Sequence, residues 1–127
     1  MQGLLLFAHG ARDPRWALPF VDIKQRVLAN APTMPVELAF LEFMSPTLLE
    51  AGENLAQAGC TRVDVLPLFL GAGGHVRKDL PELMDQLSRQ HPTVVWHLRP
   101  AIGEVASVVQ AMADAALSGL SKPGMSA

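Results

Sequence analysis

Residues 4–10 read LLLFAHG, and this stretch decides the kind of fold that the chain can adopt. Apolar residues that follow one another without a polar break are typical of a strand buried on both faces, as in a parallel sheet. The run stops at His9 and Gly10, and Asp13 and Pro14 follow as turn residues. We therefore predict a first strand at residues 4–8 that carries a histidine at its carboxyl end.

Similar segments recur along the chain. Apolar runs at 36–41, 62–69 and 93–98 predict further strands, and helical spacing predicts helices at 16–30, from Ser45 to Gly59, at 79–90 and at 104–120. Ser45 and Pro46 are expected at the N-cap and first position of the second helix. Pro67 suggests an edge strand or an irregular strand end. Together these segments predict an α/β fold with a single open, mostly parallel four-stranded sheet flanked by helices, a Rossmann-like arrangement of three layers.

Length and composition limit the possible functions. The 127 residues predict one domain, at 1–120, followed by a flexible tail at 121–127. Ten basic residues against twelve acidic ones, with no basic run, argue against nucleic acid as a partner. The apolar start has no basic flank and is too short for a signal peptide or a membrane span. The single cysteine, Cys60, favours the reducing cytoplasm.

The predicted strand ends deliver three residues that can bind a metal. His9 follows the first strand, Glu42 the second, and His75 the third after a glycine-rich loop. Because ligands bind beyond the carboxyl ends of parallel strands, these side chains could share one divalent ion such as Fe²⁺, Co²⁺, Ni²⁺ or Zn²⁺. Each residue alone is more typical of a hydrogen-bonded or solvated surface position, and it is their combination that favours a metal site. Gly10 and the pair Gly73–Gly74 allow close backbone approach to a ligand, or tight turns.

Three segments together carry a resemblance to a known family. They read LFAHGARDP at residues 6–14, LAFLE at 38–42 and LPLFLGAGGHV at 66–76, and the last is followed by Asp79-Leu80-Pro81. In these segments the chain resembles the small sirohydrochlorin chelatases, the class II cobaltochelatases and ferrochelatases. The match extends over essentially the whole chain except the tail. Ala11 departs from the family, which usually has serine there, so the resemblance implies no hydroxyl contact at that position.

The resemblance implies a lyase that inserts Co²⁺ or Fe²⁺, or else Ni²⁺, into sirohydrochlorin for cobalamin or siroheme biosynthesis, with no organic cofactor. By that similarity His9, Glu42 and His75 hold the metal, and His9, His75 or water accepts the pyrrole protons. Short members pair as homodimers, and the apolar helix at 104–120 is a candidate pairing surface or a buried helix. We expect the substrate, which carries many carboxylates, to meet Gly10, Arg12, Gly73, Gly74 and Arg77. Two alternatives remain: a metal or tetrapyrrole carrier without catalysis, and a metal-dependent hydrolase.

Overall fold

A computed structural model describes residues 1–71 and 73–120, and it describes only the backbone of Gly74, His75 and Arg77. The tail predicted at 121–127 lies outside these residues. In chain order the elements are β1 (Gln2–Ala8), α1 (Leu18–Asn30), β2 (Val36–Phe40), α2 (Leu48–Gln57), β3 (Arg62–Pro67), α3 (Gly74–Gln90), β4 (Val95–Leu98) and α4 (Ala106–Ser118). Short 3₁₀ turns at Pro14–Ala17 and Ile102–Glu104 precede α1 and α4. Within the described ranges, no helix has both the length and the apolar character that a membrane crossing requires.

The four strands form one sheet in the order β2-β1-β3-β4, and every neighbouring pair is parallel. This arrangement confirms the predicted α/β fold. Because β3 lies between β1 and β4, the edge position that Pro67 suggested is wrong. Pro67 is instead the last residue of β3, opposite Phe7, at the end of an inner strand.

Strand β1 is buried on both faces, which explains its unbroken apolar sequence. Leu5 and Phe7 pack with apolar residues of α2 and α3, among them Leu55 and Leu87. Leu4, Leu6 and Ala8 lie in a second cluster with Phe20, Val27 and Leu28 of α1. Helices therefore cover β1 from both sides, and its carboxyl end is left at the edge of the sheet.

The second helix begins two residues later than the sequence predicted. Its N-cap is Thr47, whose hydroxyl accepts a hydrogen bond from the backbone N–H of Glu50 at 3.2 Å. The Glu50 carboxylate accepts one from the Thr47 N–H at 2.9 Å. This capping box satisfies two donors, whereas the predicted N-cap, Ser45, lies with Pro46 in the preceding loop. The expectation that Gly59 follows the helix end is confirmed, since Gly59 takes a left-handed φ of 93° just after the C-cap Ala58.

The third helix begins at Gly74, with Gly73 as its N-cap, and not at Asp79. The glycine-rich sequence before Asp79 indicated a loop, but the helix extends back to Gly74, and Pro81 lies inside it. The backbone of His75 is therefore in the first turn of α3, whereas the predicted start at Asp79 left His75 outside the helix.

Helix α4 lies largely outside the packed body. None of its residues is buried, and Val109, Met112 and Leu117 expose 48%, 44% and 66% of their surface. Its contacts with the rest of the chain are mainly with the turn Ile102–Glu104. Burial of this helix within a single chain, one of the two alternatives, is therefore wrong.

Candidate functional site

His9 and Glu42 are brought together where β1 and β2 end. The N–H of Leu41 donates to the carbonyl of Ala8 at 2.9 Å, and the N–H of Glu42 donates to the carbonyl of His9 at 3.1 Å. The two strands thus remain paired one step beyond the sheet. Both side chains are exposed at this edge. The prediction that these two residues share one edge of the sheet agrees with this backbone geometry.

Gly10 makes this junction possible. Its φ is 83°, a left-handed conformation that side-chain-bearing residues rarely adopt. A Cβ atom at this position would overlap the carbonyl oxygen of Glu42. Both the backbone angle and the close approach to Glu42 therefore require glycine, which is the tight-turn alternative given for this residue. A contact of Gly10 with a ligand stays a prediction.

The third predicted ligand, His75, follows β3, the other neighbour of β1. Its backbone lies just after the N-cap of α3, but its side chain is outside the described part of the structure. Among the described side chains, no group of three histidine, cysteine, aspartate or glutamate residues could hold a metal ion. The three-ligand site stays a prediction, as do the substrate contacts of Gly73, Gly74 and Arg77.

An apolar cavity of about 530 Å³ opens beside His9. Its lining residues come from the β1–α1 loop, the start of α1 and the segment after β3, and are His9, Gly10, Ala11, Trp16, Phe20, Leu68, Phe69, Leu70 and Gly71. The His9 ring packs against Phe69, with 4.8 Å between the ring centroids and 53° between the planes. The imidazole of His9 thus lies in the wall of a pocket large enough for part of an organic ligand.

The two arginines near this edge, Arg12 and Arg15, differ in whether a carboxylate of the protein already binds the guanidinium. Arg15 donates three hydrogen bonds from its guanidinium to the Asp13 carboxylate at 2.6–3.1 Å. These bonds lower the pKa of Asp13 and raise that of Arg15. Arg12 instead lies 4.7 Å above the centre of the Phe43 ring, an exposed aromatic whose φ is 67°. No carboxylate partner of Arg12 appears in the described part of the chain, and its predicted contact with the substrate stays a prediction.

A second charged cluster lies on β3, away from His9. The Asp64 carboxylate accepts a hydrogen bond from Arg99 Nε at 2.8 Å, and its Oδ1, which lacks a hydrogen bond, is 3.4 Å from Arg62 Nε. Burial raises the pKa of Asp64, but Arg99 and the nearby charges of Arg62 and His97 together lower it below its ordinary value. Asp64 pairs with Leu4, five residues before His9, so about 16 Å of strand separates the two sites. We interpret this cluster as structural.

Trp16, Phe43 and Phe69 were not predicted as site residues. Only Trp16 carried a signal, because it is an aromatic residue directly after the turn that follows the first strand. Phe69 read as part of a strand and Phe43 as part of a loop. Their positions near His9 depend on how the β1, β2 and β3 ends come together, which no local pattern reports.

The parallel sheet and the cavity at its edge place the chain among open α/β proteins, a class whose ligands bind beyond the carboxyl ends of the strands. The CbiX family model matches residues 3–118. The chain belongs to the CbiX family, and the resemblance drawn from the three sequence segments is confirmed.

Individual relatives agree with this assignment. A sirohydrochlorin cobaltochelatase of Saccharolobus solfataricus is 40% identical over 84 residues, which is 66% of this chain and 64% of the relative. A sirohydrochlorin cobaltochelatase of Sulfolobus acidocaldarius is 28% identical over 118 residues, 93% of this chain and 94% of the relative. The match thus spans less than two thirds of the Saccharolobus protein but nearly all of the Sulfolobus protein.

Solved structures show the same architecture. A putative cobalamin biosynthesis CbiX protein from Marinobacter aquaeolei superposes with a TM-score of 0.82 at 28% identity, covering 93% of this chain and 96% of that one. SirB from Bacillus subtilis with Fe³⁺ gives 0.77 at 26% identity, covering 94% of this chain and 48% of SirB. The sirohydrochlorin chelatase SirB from Bacillus subtilis subspecies spizizenii in complex with cobalt gives 0.74 at 25% identity, covering 93% and 50%.

Proposed function

We propose that the protein inserts a divalent metal, Co²⁺ or Fe²⁺, into sirohydrochlorin. The observation that carries the proposal is the junction of His9 and Glu42 beside the apolar cavity, in a chain of the CbiX family. Sirohydrochlorin is proposed as the substrate because the relatives are sirohydrochlorin chelatases. Cobalt would place the reaction in cobalamin biosynthesis and iron in siroheme biosynthesis, and Ni²⁺ is a third candidate metal.

The donor set suits a metal that is held and then released. His9, Glu42 and His75 would bind the ion through imidazole nitrogens and a carboxylate, which hold these ions less tightly than thiolates hold softer ions. Three protein ligands leave coordination positions for water and then for a pyrrole nitrogen. As the metal enters the macrocycle, two pyrrole N–H protons leave. His9 or His75 would accept them directly, or water would carry them away.

A multiple-turnover assay with sirohydrochlorin and Co²⁺, Fe²⁺ or Ni²⁺ tests this function, with metallated product followed by absorbance. We expect His9→Ala and Glu42→Gln to lose more than about a hundredfold in rate, because even loss of a residue that supports a ligand costs 10–100-fold. His97→Ala is the matched histidine control, since His97 is exposed on β4. Full activity in both site variants would contradict the proposal.

The same assay separates the alternatives. A carrier would yield no more than one equivalent of metallated tetrapyrrole per subunit, whereas an enzyme would exceed it. A metal-dependent hydrolase would cleave ester substrates and leave sirohydrochlorin unmetallated. Because imidazoles bind metal only when neutral, insertion should also weaken as the pH falls into the acid range. A flat activity profile down to strongly acid pH would argue against histidine ligands.

The protein is further proposed to work as a homodimer that pairs through α4. The exposed apolar residues of this helix support the proposal, since apolar side chains left in water favour association. This chain spans about half of each SirB chain. A second copy of this chain could therefore form the part of the substrate site that the longer SirB chain has enough residues to form by itself. Met112→Glu should shift the molecular mass measured by light scattering from dimer to monomer. Gln110→Glu, a polar position on the same helix, should not.

We place the enzyme in the cytoplasm. Its one cysteine, Cys60, is a buried free thiol, and burial raises the pKa of that thiol. A buried thiol of this kind is unreactive and suits a reducing compartment. Fractionation of cells that express the protein with antibody detection would check this placement, and recovery outside the cytoplasm would contradict it.

A further inference from the structure

Trp16 is largely exposed to solvent in the wall of the cavity. It exposes 66% of its surface, more than is usual for the largest apolar side chain. It lines the cavity that contains His9, and it also lines a second hollow of about 490 Å³ with Pro19 and Phe20. An indole with open space beside it offers a broad flat surface to a ligand.

A structured turn holds Trp16 in this position. The Asp13 side chain accepts a hydrogen bond from the backbone N–H of Arg15 at 2.9 Å, and the Arg15 guanidinium donates to the same carboxylate. The N–H of Trp16 donates to the Asp13 carbonyl at 3.1 Å. Because the turn is already ordered, a ligand that contacts Trp16 would not have to order this segment first. The ion pair of Arg15 with Asp13 thus serves the turn and is not free for a substrate carboxylate.

The rest of the cavity wall determines which ligand fits. Phe20, Leu68 and Phe69 give it an apolar character, and among the described side chains of the lining His9 is the imidazole. A flat conjugated ligand resting against Trp16 would lie next to a metal held by His9. An aliphatic or strongly polar ligand would gain little from the exposed indole.

We infer that Trp16 contacts the flat face of the tetrapyrrole and positions the macrocycle beside the metal-binding residues. This inference rests on the proposed function, because it takes sirohydrochlorin as the ligand. Trp16 is a binding residue, so its removal should raise KM and the dissociation constant of the metal-free tetrapyrrole more than it lowers kcat.

The experiment titrates metal-free sirohydrochlorin into the full-length protein and follows the tetrapyrrole absorbance. Trp16→Ala should raise the dissociation constant about tenfold, and Trp16→Phe should restore most of the affinity by keeping an aromatic ring. The control is Trp96→Phe, which alters the other tryptophan, half-buried on β4 and hydrogen-bonded to the His91 carbonyl. That variant should bind as the unaltered protein does.

A second measurement reports contact directly. In Trp96→Phe the remaining fluorescence comes from Trp16, and its lifetime should shorten with acrylamide because the ring is exposed. Bound sirohydrochlorin should shield Trp16 from acrylamide. Unchanged affinity in Trp16→Ala, or equal acrylamide access with and without ligand, overturns the inference even if metal insertion proceeds normally. Binding and shielding without metallation would uphold the contact and refute the chelatase function.

Discussion

Replacement of Gly10 by alanine tests the geometry of the junction between His9 and Glu42. The left-handed backbone at Gly10 should cost alanine about 1–2 kcal/mol. The added Cβ would also displace the Glu42 carbonyl and weaken the hydrogen bond from the Glu42 N–H to the His9 carbonyl, for about 1 kcal/mol more. We therefore expect Gly10→Ala to lower the free energy of unfolding by roughly 2–3 kcal/mol.

Alanine variants of two other glycines separate the cost of the left-handed backbone from the cost of the clash with Glu42. Gly59 has a φ of 93° but its Cβ would meet only the end of the Met1 side chain at 3.9 Å, so Gly59→Ala should cost about 1–2 kcal/mol. Gly119 has a φ of −81° and only ordinary contacts, so Gly119→Ala should be nearly neutral. Urea unfolding followed by circular dichroism would measure all three.

The metal-insertion assay completes the comparison. Gly10→Ala should also lose activity, because it moves Glu42 away from His9, whereas Gly59→Ala should keep it. Equal destabilisation of Gly10→Ala and Gly59→Ala, with full activity in both, would refute the close approach at Gly10 and with it the fixed spacing of His9 and Glu42.

Three further changes test the fold. Asp64→Asn should lower the free energy of unfolding by about 1–2 kcal/mol at neutral pH. Because folding lowers the pKa of Asp64, its contribution is present above the ordinary carboxyl range and is lost as the pH falls through the folded pKa, so the urea titrations of the variant and the unaltered protein should converge at acid pH. Asp22→Asn, which breaks an exposed ion pair, is the control and should change stability little. Thr47→Ala should lower the free energy of unfolding by about 1 kcal/mol in thermal unfolding, and Ser45→Ala should hardly change it. The reverse order would contradict Thr47 as the N-cap and favour the predicted start at Ser45. Leu87→Ala, in a fully buried position, should cost about 2–5 kcal/mol by urea unfolding, and a loss below 1 kcal/mol would contradict the packing of α3 on the sheet.

Strand prediction succeeded where burial alone determined the sequence. LLLFA is apolar because helices cover both faces of β1, so a local pattern was sufficient. Helix starts were less predictable, because several residues compete to cap them. Ser45 was the expected N-cap of the second helix and Asp79 the expected start of the third, but Thr47 and Gly73 are the N-caps in the structure. The outcome depends on which donors are satisfied in the folded chain.

The sequence by itself determined the alternation of strands and helices, the buried central strand and the residues that follow each strand, because periodicity and turn residues act over short distances. Only the tertiary structure decided that β3 lies inside the sheet, that His9 and Glu42 share a backbone hydrogen bond, and that Trp16 stands open beside His9. These features depend on strand order and on contacts between residues far apart in the chain, which the local pattern does not encode.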